Sequence, residues 1–283
     1  MDPSKILCWN VRGLNSSARQ DVVRCLVDSV KADVICIQET KMPDATRWMV
    51  LRVLGSDFGN FVFSPSNGAS GGILVAWRSH ITSIGSRIDD HCVSVNFRLE
   101  DGASWWLSCV YAPQGNAEKT LFLQELTSSR AHCPGPWLVV GDFNMILNSD
   151  DKNNSNLDRA MMGRFRRWKD DLALIEIPLV GRKYTWSNGH DNPTLVHLDR
   201  MFCSADWEDL FPGCLLQSAA SHDSDHCPLL LGLQDVNRAK GRFFFQAFWV
   251  KLEGFHDTVA LAWSSVAPGP CPFVTLSRKL QAT

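Results

Sequence analysis

Residues 137–144 read Trp137-Leu138-Val139-Val140-Gly141-Asp142-Phe143-Asn144, an apolar run that stops at a glycine and then delivers a carboxylate and an amide two positions apart. Side chains alternate across a β-strand, so Asp142 and Asn144 point together while Phe143 faces the other way. The pattern recurs along the chain. Ile6, Cys8 and Asn10 phase as one strand face, Ile35, Ile37 and Glu39 as a second, and Leu107, Cys109 and Tyr111 as a third. In each, the polar group is expected to continue the row of its own apolar residues to the sheet's end. Ser224-Asp225-His226-Cys227-Pro228 precedes another apolar run, 229–233, and adjacent Asp and His reach one site only from a loop at a strand mouth. Loops at sheet edges are where sites are built.

Outward from these stretches, strand-like runs lie at 6–9, 34–38, 61–64, 72–77, 92–98, 105–111, 137–141, 184–186, 198–203 and 229–233. Helical periodicity lies between some of them, at 18–30, 119–128 and 161–172, so the class is mixed α/β. The 283 residues are 45% hydrophobic and 20% charged, with 11 Trp and 15 Phe, which supplies a packed core and excludes a disordered chain or a coiled coil. No internal repeat or low-complexity segment interrupts the chain. The longest apolar runs, such as 137–140, fall far short of the ~20 residues of a membrane span, and the start lacks a basic segment followed by an apolar one. Neither membrane insertion nor secretion is expected. Ten Cys with no C-x-x-C read as reduced core residues of an intracellular protein, and without H-E-x-x-H zinc chemistry is not expected.

Charge divides the chain. Residues 236–283 hold 6 Lys+Arg against 2 Asp+Glu, leaving 22 against 28 in residues 1–235. The expected organisation is a main domain over 1–235 and a basic tail over 236–283. In the tail, Phe248, Leu252, Phe255, Val259, Ala262 and Val266 recur at helical spacing before the prolines of 268–272. They predict one amphipathic helix whose apolar face needs a partner.

Taken singly, a strand-end Asn or Asp is a turn residue, a Tyr with a buried ring is core, and Asp-His is a common loop dipeptide. The set carries more weight than its members. Carboxylate and amide oxygens are hard ligands that suit Mg²⁺ or Mn²⁺, and an Asp paired with His suits proton transfer. Together they are what a divalent-cation phosphodiester hydrolase requires.

In this order, Trp9-Asn10-Val11-Arg12-Gly13-Leu14, Gln38-Glu39-Thr40, Val110-Tyr111-Ala112-Pro113, Gly141-Asp142-Phe143-Asn144, Leu198-Asp199-Arg200 and Ser224-Asp225-His226-Cys227-Pro228 resemble the endonuclease/exonuclease/phosphatase superfamily. Deoxyribonuclease I and the exonuclease III type of abasic-site endonuclease belong to it. Ser70-Gly71-Gly72-Ile73, the run from Pro178 to Asn188, and Trp207-Glu208-Asp209-Leu210-Phe211-Pro212 look more specifically like the endonuclease domain of plant LINE-type non-LTR retrotransposons. The resemblance implies a four-layer αββα sandwich, two mixed β-sheets flanked by helices, with the site where the loops of the sheets meet. It implies Glu39 as the main metal ligand, assisted by Asn10 and Asp225. Asp142 would orient or deprotonate the attacking water, and Asn144 would hold the scissile phosphate. His226, oriented by Asp199, would contact a phosphate oxygen or transfer a proton, and Tyr111 would stabilise charge on the pentavalent phosphorus.

Two departures bear on substrate. Arg12 stands where abasic-site repair enzymes carry an acid that supports the metal, and 114–119 lacks the repair-type insertion beside the Tyr. The polar loop 187–194 corresponds to a hairpin that meets the DNA minor groove in retroelement endonucleases. Contacts to DNA are expected from it, at Asn188, and from Arg182, Lys183, Arg164 and Arg167, although the basic cluster of 152–183 also reads as a solvated helix face. The reading is a Mg²⁺-dependent endonuclease that nicks one strand of double-stranded DNA and leaves a 3′-hydroxyl for priming. The residues from Arg242 to Gln246 look like the start of a linker to a reverse transcriptase, the chain is expected to be a monomer, and nuclear location follows from the substrate. Alternatives are an abasic-site enzyme or phosphatase of the same superfamily, and an inactive relic that at most binds DNA. Gly68-Ala69-Ser70-Gly71-Gly72 also satisfies G-x-S-x-G, with Asp199 and His226 following in α/β-hydrolase order, but the β-prone 73–77 predicts a hairpin turn there. His222 reads as a loop or supporting residue.

Overall fold

Two strand pairs buried on both faces organise the fold. β1 (Lys5–Asn10) and β2 (Val34–Gln38) run parallel, with helix α1 (Ser17–Val30) between them in sequence. β7 (Ser104–Tyr111) and β8 (Trp137–Asp142) repeat the arrangement around α3 (Asn116–His132). Parallel neighbours need a long crossover, and covering both faces turns the strand sequences into nearly continuous apolar runs. The computed structural model describes residues 2–68, 70–220, 224–233, 254–265 and 279, and the chain divides into two units, Met1–Arg238 and Ala239–Thr283.

Each pair is the centre of a mixed sheet. In the first, β1 and β2 are flanked on one side by β15 (Leu229–Gly232), β14 (Leu215–Ser218) and β10 (Leu179–Val180), and on the other by β4 (Ser70–Trp77) and β3 (Asn60–Asn67). In the second, β7 and β8 lie between β6 (Cys92–Arg98) with β5 (Thr82–Ile88) and β13 (Asp199–Cys203) with β9 (Ile175–Glu176). A short hairpin, β11 (Trp186–Ser187) with β12 (Leu195–Val196), stands apart from both.

Three apolar clusters define the layers. Ile6, Cys8, Val75, Leu107, Val140 and Leu231 meet between the sheets. Leu7, Val27, Ile35 and Leu74 pack the first sheet against α1 and α2 (Arg47–Leu54). Phe122, Val139, Phe165 and Phe202 pack the second against α3 and α4 (Arg159–Asp171). The result is the four-layer αββα sandwich. Ser16, Thr46 and Asp158 cap α1, α2 and α4, each side-chain oxygen accepting from the backbone N–H three residues on.

Ser70 opens β4 opposite Asn67 of β3, so the Gly68 to Gly72 stretch is a hairpin turn and not the strand-to-helix elbow of a hydrolase; Ala69 itself lies outside the described residues. Of the run at 184–186, only Trp186 enters a strand. A Cβ on Gly72, at φ 90°, would lie 2.2 Å from Thr40 Oγ1, which requires glycine there, while Gly71 needs glycine only for its φ of 85°. α5 (Ala205–Leu210) buries Trp207 among the inter-sheet aromatics. In the second unit, α6 (Phe255–Ser265) carries the expected Phe255, Val259 and Ala262 at its half-buried positions. Phe248, Leu252, Val266, the 268–272 prolines, Arg242 to Gln246 and His222 lie outside the described residues. No described helix is long and apolar enough to cross a membrane.

Gly141 is the tightest point of the β7–β8 pair: at φ 145°, a Cβ there would sit 2.0 Å from Val110 O. Gly141→Ala is expected to lower unfolding free energy by about 3 kcal/mol or more, since neither backbone has space to yield. Urea melts with a midpoint unchanged from wild type would contradict this close approach.

Candidate active site

Strand register builds the site. Tyr111 lies opposite Asp142 across the parallel β7–β8 pair, and Asp142 lies opposite Asp199 across the antiparallel β8–β13 pair. Behind them on the same faces come Cys109, Val140 and Met201, all in the inter-sheet core, so one row of polar groups emerges at the sheet's inner end. Asp142 and Asp199 are only 1% and 3% exposed, and two buried carboxylates side by side repel. His226 resolves this. Its Nδ1 donates to Asp199 Oδ2 at 2.8 Å, and its Nε2 faces Asp142 Oδ2 at 3.7 Å, beyond hydrogen-bond reach.

Burial opposes a charge on the imidazole, but Asp199 and then Asp142 outweigh it and lift His226 to about 9. Burial pushes Asp142 up to about 6, and the His226 charge restrains it. At neutral pH an imidazolium therefore stands between the two aspartates. Asp142 is fixed from two further sides: Asn10 Nδ2 donates to Oδ2 at 3.0 Å and the Asn144 backbone N–H to Oδ1 at 2.9 Å. Asn144, at φ 48°, also gives its side-chain amide to Ala112 O at 2.8 Å and to Asp142 Oδ2 at 3.3 Å, so it serves the carboxylate as well as facing the cleft. The Asp199 end is held by Thr185, whose buried hydroxyl accepts from the backbone N–H of Asp199 at 2.9 Å and Leu198 at 3.0 Å. Tyr111 is kept protonated by its own burial and then by the charges of Glu39 and Asp142.

Glu39 arrives by a route that strand phasing does not anticipate. Val34, Cys36 and Gln38 face the other sheet, with Gln38 Nε2 donating to Cys109 Sγ at 2.9 Å, whereas Ile35 and Ile37 face the helices. A continuing row would carry Glu39 toward the helices too. Instead β2 ends at Gln38, and Glu39 takes a left-handed backbone, φ 54°, that turns its carboxylate to Tyr111 and to Lys41 Nζ at 2.9 Å. The expected row is corrected for that reason: alternation stops applying where the strand stops. Asn10, by contrast, does continue the row of Ile6 and Cys8.

Asn10, Glu39 and Asp225 offer only hard oxygens. Asp225 Oδ2 accepts from Arg12 Nη1 at 2.8 Å and Trp186 Nε1 at 3.0 Å, while Oδ1 is buried with no hydrogen-bond partner among the described residues. Such an oxygen is satisfied by a hard divalent cation, and this donor set fits one. Asp142, Asp199 and His226 also bring potential ligand atoms within 4.8 Å of one another. There the imidazole Nδ1 is bonded to Asp199 and its Nε2 faces Asp142, an arrangement suited to moving a proton.

A cleft of ≈480 Å³ is lined by Arg12, Glu39, Asp142, Asn144, Asp225 and His226, while Asn10 and Asp199 are buried and Tyr111 lines a second hollow together with His91 and Glu125. The basic residues of the cleft are Arg12, Lys41, Lys119 and Lys152. The five expected DNA contacts lie elsewhere. Arg164 and Arg167 occupy the exposed side of α4, behind buried Phe165 and Trp168. Arg182 Nε donates to Tyr184 O at 2.8 Å, and the Lys183 ammonium lies 5.4 Å over the Tyr184 ring. Asn188 Oδ1 accepts from the Thr194 N–H at 2.9 Å and so closes its own loop. The sequence signal for Lys41 was available two residues after Glu39. Lys152, bridged to Val196, is the first residue of the basic cluster over 152–183, whereas for Lys119, brought in by a helix start, no local signal exists.

Residues 7–226 match the model of the Endonuclease/Exonuclease/phosphatase family. No protein of curated function matches the sequence. Among solved structures, the fold is similar to the AP endonuclease of Leishmania major (TM-score 0.63, 16% identity, 81% of this chain and 87% of that one). It is similar also to the endonuclease domain of TRAS1, a telomere-specific non-LTR retrotransposon (TM-score 0.63, 17% identity, 83% and 100%). A third is the 3′ phosphatase NExo from Neisseria bound to product DNA hairpin (TM-score 0.63, 16% identity, 81% and 98%).

The ionic cluster carries a pH signature. A His raised from 6.5 to about 9 contributes stability that is complete below pH 6.5 and is lost as pH rises through about 9. The stability advantage of wild type over His226→Gln is therefore expected to shrink between pH 6.5 and 9.5 in urea unfolding. An advantage that stays flat or grows over this interval would place a neutral imidazole in the folded chain.

Proposed function

The chain belongs to the endonuclease/exonuclease/phosphatase family, and we propose that it is a Mg²⁺-dependent endonuclease that nicks one strand of double-stranded DNA, the nuclease domain of a LINE-type element. The observation that carries this is the His226 imidazole, bonded to Asp199 at 2.8 Å and presenting Nε2 toward Asp142 inside a cleft edged by four basic side chains. A polyanionic strand suits such a cleft.

The residues divide the work. Asp142, fixed by Asn10 and Asn144, accepts the proton of a water that attacks phosphorus in line. His226 donates from Nε2 to a phosphate oxygen, and Asp199 holds the ring at Nδ1 and balances its charge. Tyr111 donates a hydrogen bond from its hydroxyl to the charge growing on phosphorus, and Asn144 faces the same group from the cleft wall. The bond to the 3′ oxygen breaks with its electron pair staying on that oxygen, which takes a proton from solvent to become the 3′-hydroxyl suited to priming, while the proton taken up by Asp142 passes to solvent and the phosphorus keeps the new oxygen as a 5′-phosphate. A divalent ion held by Glu39, Asn10 and Asp225 would supply further stabilisation of the phosphate charge.

Several features support the retroelement reading over a repair enzyme: Arg12 in place of an acid, no repair-type insertion at 114–119, where α3 already begins at Asn116, and the β11–β12 hairpin beside the site. The similarity to the TRAS1 domain, matched over its full length, accords with it. On this reading residues 1–235 form the nuclease, residues 236–283 begin the link to a reverse transcriptase, the nuclease acts as a monomer and its place of work is the nucleus. Arg182, Lys183, Asn188, Arg164 and Arg167 lie outside the cleft, where they would meet DNA beyond the nicked phosphate.

Supercoiled plasmid tests the proposal. The wild type is expected to relax it with Mg²⁺ and not with EDTA, and Asp142→Asn and His226→Ala are each expected to slow nicking by about 10³-fold, the range for losing a proton-transfer or charge-stabilising group. Folded wild type that leaves plasmid intact but hydrolyses small phosphate esters would move the chain to the family's phosphatases. Hydrolysis of neither would make it a relic.

A further inference from the structure

None of the cleft's four basic side chains enters the proposed reaction, and one of them, Arg12, bonds two of the candidate metal ligands. Arg12 extends over the cleft with its side chain 56% exposed, and its Nη1 lies 2.8 Å from Asp225 Oδ2. The residue takes a left-handed backbone, φ 53°, and its N–H donates to Asn10 Oδ1 at 3.0 Å, so Arg12 is tied directly to two of the three candidate metal ligands. The indole N–H of Trp186 donates to the same Asp225 oxygen at 3.0 Å. The two oxygens of Asp225 are thus treated unequally: Oδ2 carries two donors, one of them charged, and Oδ1 is buried with none described.

A carboxylate that meets a hard cation through both oxygens cannot do so while one of them holds a guanidinium. Any ion at Oδ1 also shares the carboxylate with a positive charge on Oδ2, and the two cations repel. We propose that Arg12, seconded by Trp186, is a positioning residue that caps Asp225 Oδ2, limits Asp225 to one ligand oxygen and weakens divalent-cation binding in the substrate-free chain. The guanidinium has further N–H donors beyond the one on Asp225, and it stands where a substrate phosphate enters, so the same cap is a phosphate contact. A phosphate that draws the guanidinium away from Asp225 strengthens the cation's hold, and substrate and metal then bind cooperatively. Trp186 joins the cap to the hairpin: the Ser187 N–H donates to Asp225 O at 3.0 Å and the Cys227 N–H to Thr185 O at 2.8 Å.

This inference rests on the proposed metal site, not on DNA being the substrate, and its test needs no nucleic acid. Mn²⁺ binding to the full chain is measured by the loss of the free-ion electron paramagnetic resonance signal, in wild type, Arg12→Ala, Arg12→Lys and Trp186→Phe. The same Arg12→Ala change is also made in an Asp225→Asn background. Arg12→Ala is expected to bind Mn²⁺ about three- to fivefold more tightly, the scale of one partly exposed ion pair. Trp186→Phe should rise less, and Arg12→Lys should stay near wild type. In the Asp225→Asn background the effect of removing Arg12 should nearly vanish, because the carboxylate it acts through is gone. Unchanged affinity in Arg12→Ala overturns the proposal, as does an equal gain with and without Asp225, which would make Arg12 a distant charge. Mn²⁺ binding to neither wild type nor Arg12→Ala overturns it together with the metal site. If Arg12→Ala does not fold, Trp186→Phe and Arg12→Lys carry the comparison. Plasmid left intact by a chain that shows these shifts refutes the nuclease and leaves the cap standing.

Discussion

The pairing of β8 with β13 sets Asp142 against Asp199, two carboxylates buried at one level of the sheet. Alone, that juxtaposition would be strongly unfavourable, since a buried charge without a partner costs several kcal/mol, roughly 3–5 by the measure of breaking buried pairs. The imidazolium of His226 makes it tolerable, and only by coming from the opposite sheet, on the loop that leads into β15. The ionic contact therefore joins the two halves of the sandwich at the one place where the sheets' ends meet. The same arrangement leaves His226 Nε2 with no acceptor at hydrogen-bond distance among the described residues, which is a stabilising contact and a reactive one at once.

The sequence carries much of this where alternation holds. Asn10, Tyr111 and Asp142 end apolar rows, and the structure finds each on the face its row specifies. Reading fails where the backbone leaves the extended state. Glu39 sits one residue past its strand in a left-handed turn, so its direction depends on a dihedral angle that spacing does not encode. β5 and α2 also escape notice, for different reasons. β5 is an edge strand exposed along most of its length, with a bulge between Ser83 and Gly85, and α2 is eight residues long with Trp48 facing solvent at 70% exposure. β5 lacks a one-sided pattern, and α2, though it buries Val50, Val53 and Leu54 on one face, is shorter than the window of about 11 residues over which helical periodicity reads.

Charge was the hardest property to read. A run of basic residues over 152–183 draws attention in the sequence, yet those named from it sit on the outer side of α4 or against Tyr184. The cations at the cleft come one apiece from separated elements: Arg12 after β1, Lys41 after β2, Lys119 in the first turn of α3 and Lys152 beside β12. Local clustering along a chain reports a solvated helix face as readily as a binding surface, whereas convergence of single residues follows from topology. Trp186 and Thr185 illustrate the same point with neutral groups, since they lie in and just before a short hairpin and bond the Asp225 carboxylate and the Asp199 backbone from other segments.

The protonation state of His226 is the point on which this account turns, and it is directly observable. Long-range ¹H–¹⁵N correlation spectra of the imidazole at pH 7.5 should show both ring nitrogens protonated, with titration toward the neutral form only near pH 9. The Nδ1 proton should carry the downfield shift of a hydrogen bond to a carboxylate. A neutral ring at pH 7.5, titrating near an ordinary histidine's value of about 6.5, would contradict the central claim. It would mean that the two aspartates are not held apart by a positive charge, and that the proton assigned to the phosphate is not there to give.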